Sequence, residues 1–153
     1  MHESTHHGCV LWTGTRNGAL LAARGYELIL CARREERLRE LAAELPVPCR
    51  VIAADVSDEQ ECRLLYEAVQ SEELEVVINN AGFGLFGEFV TADLDEELRM
   101  IDTNVRAVHI LTKLAVAGFC AARTRLHSQR IILGGIFAGT ADGDLLRHKK
   151  LCS

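Results

Sequence analysis

Apolar positions along this chain follow two rhythms that take turns. Tyr26 to Ala32, YELILCA, is an apolar run of strand length, and Arg34 to Leu45 then repeats leucine at Leu38, Leu41 and Leu45 with charges between, the spacing of a surface helix. Pro46 and Pro48 end that helix. A second strand, CRVIAADVS, runs from Cys49 into Asp55, and Ser57 or Asp58 can cap the helix DEQECRLLYEAVQ that follows. LEVVINN, from Leu74 to Asn80, is a third strand. Asp93 to Ala122 carries apolar residues at helical spacing throughout, and RIILGG, Arg130 to Gly135, reads as a fourth strand. Strands and helices alternating in this way predict right-handed βαβ units, so the fold class is α/β with a doubly wound parallel sheet.

In such sheets ligands lie beyond the carboxyl ends of the strands. The loops there hold Arg33 and Arg34, then Asp55 and Val56, then Asn79 to Gly82. The last of these stops an apolar, β-branched run with Asn79, Asn80, Ala81, Gly82, Phe83 and Gly84, a place where backbone comes close to something flat.

Composition narrows the partner. The 153 residues are 48% hydrophobic and 25% charged, an ordinary single globular domain. A net charge of −5 without a basic block argues against nucleic acid and an anionic membrane surface, leaving a small molecule or another protein. No apolar run approaches membrane-spanning length, and Met1 to Cys9 lacks the basic and apolar parts of a signal peptide, so a cytoplasmic location is expected. The six cysteines form no C-x-x-C pair and suit reduced thiols. His2, His6, His7 and Cys9 could hold a metal loosely, but a short polar terminus is more often simply disordered, and no metal site is expected.

CARREERL, AADVSD, INNAGFG and IDTNVRA, spread over about residues 19–114, closely resemble the classical short-chain dehydrogenases/reductases. The resemblance implies a Rossmann-like sheet, a nicotinamide cofactor and a carbonyl or alcohol substrate. It places Asn80, Ala81 and Gly82 by the cofactor, Asp55 and Val56 beside its adenine, and Asn104 as the asparagine of a catalytic tetrad that helps hold a proton-relay water. Arg33 stands where an acidic residue would bind an adenosine ribose. With Arg34 it can meet a 2′-phosphate with planar donors, which favours NADP over NAD. The resemblance also suggests a homo-oligomer through the long helix containing Asn104.

Two parts of the family pattern are absent. WTGTRNGALLAARGY keeps Thr13, Gly14 and Gly18 but leaves too few residues for a T-G-x-x-x-G-x-G phosphate loop and its helix. No Tyr-x-x-x-Lys pair or polarising serine follows RIILGG, and Lys149 and Lys150 have no tyrosine partner. Back-translation offers a reason. Read one base out of frame, the codons of His6 to Gly18 can encode the glycine loop, with Trp12 and Thr13 forcing a required glycine. Those of Asp144 to Cys152 can encode Tyr-x-x-x-Lys on the Leu145 and Lys149 codons, and the Ile132 codon a serine at the usual family spacing.

The expectation is therefore a single, truncated dinucleotide-binding domain over residues 1–153, its sheet incomplete. Residues 1–18 and 115–153 are expected to be atypical and disordered through frame changes near Gly18 to Leu21 and Leu114 to Gly118. The sheet should lack its first strand, and exposed apolar faces should make the chain prone to aggregate. Function is expected to be that of an NADP-dependent oxidoreductase in family but inactive in this chain. The alternative is a non-catalytic nucleotide-binding or subunit-interaction protein.

Overall fold

The computed structural model describes residues 9–13, 18–72, 74–122 and 131–134. Five strands are present: β1 (Cys9–Thr13), β2 (Glu27–Ala32), β3 (Cys49–Ala53), β4 (Leu74–Asn79) and β5 (Ile131–Gly134). They form one parallel sheet in the order β3-β2-β1-β4-β5. Between them run the helices α1 (Gly18–Ala22), α2 (Glu35–Glu44) and α3 (Glu59–Val69), then a continuous helical stretch of α4 (Leu94–Ile101), a π-helical segment (Asp102–Ala107) and α5 (Val108–Ala122).

Side-chain alternation along the strands separates two cores. Leu11, Ile29, Cys31 and Val77 pack on one face against Cys62, Leu65 and Val69 of α3 and against Ala107, Leu111, Ala115 and Phe119. Val10, Leu28, Leu30 and Val76 face the other way, onto Leu21 and Ala22 of α1 and Leu38 of α2. Helices on both faces confirm the doubly wound α/β expectation.

One expectation is corrected. The sheet does not lack its first strand, because Cys9–Thr13 forms β1 in the middle of the sheet, paired with β2 on one side and β4 on the other. The run CVLWT is apolar and strand-length, and burial of Val10 and Leu11 on opposite faces rewards it as a strand. The shortage of chain appears one step later, where only 13 residues, 14–26, separate β1 from β2. Helix α5 likewise continues through residues 115–122, inside the stretch expected to be disordered. The remainder of that expectation, including residues 1–8, Gly14, Leu145, Lys149 and Lys150, lies outside the described residues.

Helix caps follow the sequence closely. Asp58 caps α3 by accepting the Glu61 N–H at 3.0 Å, while Asp93 caps α4 by accepting from Asp95 and Glu96 at 2.9 and 3.2 Å. Leu94, Leu98, Ile101 and Val105 form an exposed apolar stripe along α4 and the π segment, and Phe86, Phe89 and Val90 are exposed just before it.

Helices α3 and α5 meet at Gly118, where a Cβ would lie 2.0 Å from the Tyr66 hydroxyl. Gly118→Ala should lower stability by about 1–2 kcal/mol, because a clash of about 1–3 kcal/mol outweighs the better helix propensity of alanine. The midpoint of urea unfolding checks this, and an unchanged midpoint would show that the tyrosine moves aside freely.

Candidate functional site

Strand order reverses between β1 and β4, one running on to β2 and β3 and the other to β5, and a crevice opens at the carboxyl ends of such strands. Thr13, the last residue of β1, fastens this point. Its hydroxyl donates to the Ile78 carbonyl at 3.2 Å and accepts from the Asn80 and Ala81 N–H groups at 3.0 and 3.3 Å. Its own carbonyl accepts the Asn80 N–H at 3.1 Å. Only 1% of Thr13 is exposed, so these bonds form away from competing water.

The next residues are held from the helix side. Asn104, in the π segment, accepts the Phe83 N–H at 3.1 Å through Oδ1 and donates from Nδ2 to the Phe83 carbonyl at 2.7 Å. A Cβ on Gly82 would lie 2.9 Å from that Oδ1, which is why the close approach suits glycine. Asn79, 3% exposed, donates from Nδ2 to the Thr112 hydroxyl at 3.0 Å. Asn80, Ala81, Gly82 and Asn104 thus form one connected group, and the asparagine acts on the loop through the backbone of Phe83.

The second group lies at the ends of β2 and β3. The Ala54 N–H donates to the Ala32 carbonyl at 3.2 Å, joining the two loops. Arg33 and Arg34 are exposed, and neither makes an ion pair or side-chain hydrogen bond among the described residues. Arg34 occupies the N-cap of α2 without capping it. Asp55 begins a turn closed by Asp58 N–H to Asp55 C=O at 3.0 Å, and its Oδ1 accepts from the Ser57 N–H and hydroxyl at 3.0 and 2.7 Å. Val56 is buried beneath it.

Sequence reading missed two contributors. Thr13 was visible as a polar residue closing the apolar run CVLWT, but its partners lie 65 to 68 positions away. Glu61 gave no signal, being one of several acidic residues opening α3. Of the N-terminal metal candidates, His2, His6 and His7 lie outside the described residues, and Cys9 is the first residue of β1. Among the described residues no group of three or more His, Cys, Asp or Glu could hold a metal, and no helix is long and apolar enough to cross a membrane.

Comparison with known proteins gives the family. The profile described as short chain dehydrogenase matches residues 14–132, well over half of the sequence, and the chain belongs to that family. A Haemophilus influenzae protein described as a probable NADP-dependent dehydrogenase is 35% identical over 125 residues, 78% of this chain and 47% of the relative. Sulfoacetaldehyde reductase 2 of Chromohalobacter salexigens is 38% identical over 110 residues, 65% of this chain and 44% of the relative. A short-chain dehydrogenase of Sphingobium yanoikuyae, solved with NADPH, superposes with a TM-score of 0.69 at 28% identity, covering 75% of this chain and 50% of that one. The chain spans less than half the length of the curated relatives it matches.

Two predictions come from this geometry. Thr13→Val keeps the shape but strands the Ala81 N–H and leaves the Asn80 N–H only the residue-13 carbonyl, and should cost about 1–3 kcal/mol by urea unfolding, with Thr13→Ser recovering most of it. Loss of stability in neither variant would show that water replaces the hydroxyl. The second concerns thiols. Burial, with Cys62 and Glu61 nearby, pushes the Cys31 thiol from 9.0 up to about 12, and burial with the carboxylates of Asp58, Asp55, Glu61 and Glu59 pushes Cys62 to about 11. Both therefore favour the folded state fully below pH 9, and that contribution fades as pH rises from 9 towards 12. At pH 8 iodoacetamide should label exposed Cys120 and reach Cys31 and Cys62 only after unfolding, as read by peptide mass spectrometry.

Proposed function

We propose that this chain is the cofactor-binding part of an NADP-dependent short-chain oxidoreductase acting on a carbonyl or alcohol, and that these 153 residues by themselves transfer no hydride. The observation that carries the reading is the carboxyl edge of the sheet. Thr13, Asn80 and Ala81 tie the strand-order reversal together, while Arg33, Asp55 and Val56 line the neighbouring loops.

The residues present fit the adenosine end of a dinucleotide. Val56 N–H has no hydrogen-bond partner among the described residues, and the Asp55 carboxylate keeps one oxygen outside its bonds to Ser57. One donor beside one acceptor matches the N1 and N6 edge of adenine. Arg33 offers an uncommitted guanidinium for a 2′-phosphate, which with the NADP-dependent relative supports NADP over NAD. Asn80, Ala81 and Gly82 would border the nicotinamide half, and the bound cofactor would supply or accept the hydride. Asn104 keeps that border in place through Phe83 and is the one tetrad member the sequence retains.

The proton-handling groups are what the sequence lacks. Its two tyrosines, Tyr26 and Tyr66, are each followed four residues later by Leu30 and Gln70 rather than lysine. The exposed stripe of Leu94, Leu98, Ile101 and Val105 is the face we assign to a second copy of the chain.

A frame change in the encoding DNA is the second part of this reading. The short connection from β1 to β2 and the out-of-frame glycine loop and Tyr-x-x-x-Lys support it. Resequencing across the codons of His6 to Leu21 and Leu114 to Ser153 should reveal single-base changes that restore these motifs. Codons that stand as written, with no motif in a shifted frame, would overturn it.

For the protein as it stands, nicotinamide fluorescence should show NADPH binding more tightly than NADH. Arg33→Ala should weaken NADPH about tenfold or more and leave NADH within about twofold, as expected for loss of a charge-assisted contact. A panel of small aldehydes and ketones should draw no NADPH oxidation above background. Steady turnover would overturn the inactivity, and absence of any binding would overturn the cofactor reading.

A further inference from the structure

The Asp55 turn is gripped from below by two successive residues of α3. Glu61 Oε2 accepts the Asp55 N–H at 2.6 Å, and the Cys62 thiol donates to the Val56 carbonyl at 3.2 Å. The same helical turn is anchored to Asp58, whose side chain accepts the Glu61 N–H at 3.0 Å and whose carbonyl accepts the Cys62 N–H at 3.1 Å. Glu61 occupies the third helical position after the Asp58 cap. A glutamate there usually reaches back to the N–H of the cap itself, but this one reaches three residues further, to the start of the turn.

That displacement changes what the turn offers to a ligand. Of its polar groups, Asp55 N–H is consumed by Glu61, the buried Val56 C=O by Cys62 and one Asp55 carboxylate oxygen by Ser57. What remains is one amide donor, at Val56, next to one carboxylate acceptor, at Asp55. Without Glu61 the turn would present two adjacent N–H donors, and Asp55 would be held only by its bonds to Ser57 and Asp58. A free Asp55 N–H would favour an acceptor where adenine presents its N6 donor, so the latch acts on the identity of the base as well as on affinity.

We propose that Glu61 is a positioning residue for the adenine end of the cofactor, acting through the Asp55 N–H. It never touches the nucleotide. The proposal rests on the nucleotide-binding reading above, and the experiment separates failure of the two. NADPH and NADH are titrated into wild type, Glu61→Ala, Glu61→Gln and Arg33→Ala, at a temperature where circular dichroism shows each variant fully folded, so that a loss of global stability cannot alter the dissociation constant.

Glu61→Ala should weaken NADPH and NADH by the same factor, about tenfold, because both carry the same adenine. Glu61→Gln, which keeps an acceptor oxygen at that reach, should recover most of the loss. Arg33→Ala should split the two cofactors instead. Binding by Glu61→Ala equal to wild type overturns the inference and leaves the nucleotide reading intact. Weakening of NADPH alone also overturns it, since Glu61 would then act through the charge at Arg33. If wild type binds neither cofactor, the nucleotide reading fails and this inference falls with it.

Discussion

The hydroxyl of Thr13 joins the two halves of the sheet where they part company. One side of β1 leads to β2 and β3, the other to β4 and β5, and a single side chain bonds from the end of β1 to Ile78, Asn80 and Ala81. The Ala81 N–H, leaving β4, has only this hydroxyl as its partner, and an N–H group shielded from water without a partner costs about 1–3 kcal/mol. The threonine removes that cost and fixes where the loop begins. Asn104 then takes over two residues further on, holding both polar groups of Phe83 and requiring glycine at Gly82.

Much of this was legible because the elements are amphipathic in simple ways. The runs 26–32, 49–53 and 74–79 and the helices between them stand within a residue or two of where apolar spacing puts them. β1 was not legible as a strand. It spans only five residues in a stretch whose codons suggest another frame, and its place in the sheet is decided by burial between β2 and β4 rather than by local pattern. The π segment was hidden for a related reason: apolar spacing over 94–122 is the same whether one turn is widened or not, yet that segment carries the asparagine that meets the Phe83 backbone.

The candidate site shows the same division. Position after the strands pointed to Arg33, Arg34, Asp55, Val56, Asn80, Ala81 and Gly82, and the family resemblance added Asn104 from the long helix. The supporting residues did not, because a threonine or glutamate becomes a latch only when a partner distant in the chain or displaced by a turn comes within hydrogen-bond reach. Membership of the short chain dehydrogenase family, shown over residues 14–132, supplies the general chemistry. This chain's own contribution is a well-tied carboxyl edge, held by Thr13 and Asn104.

The measurement that tests this most directly is amide hydrogen exchange of the full chain, followed residue by residue with and without NADPH. The account predicts added protection at Asp55, Val56 and Asn80 to Phe83, with little change along α4 and α5. Protection confined to those helices, or none at the carboxyl edge despite saturating NADPH, would contradict it.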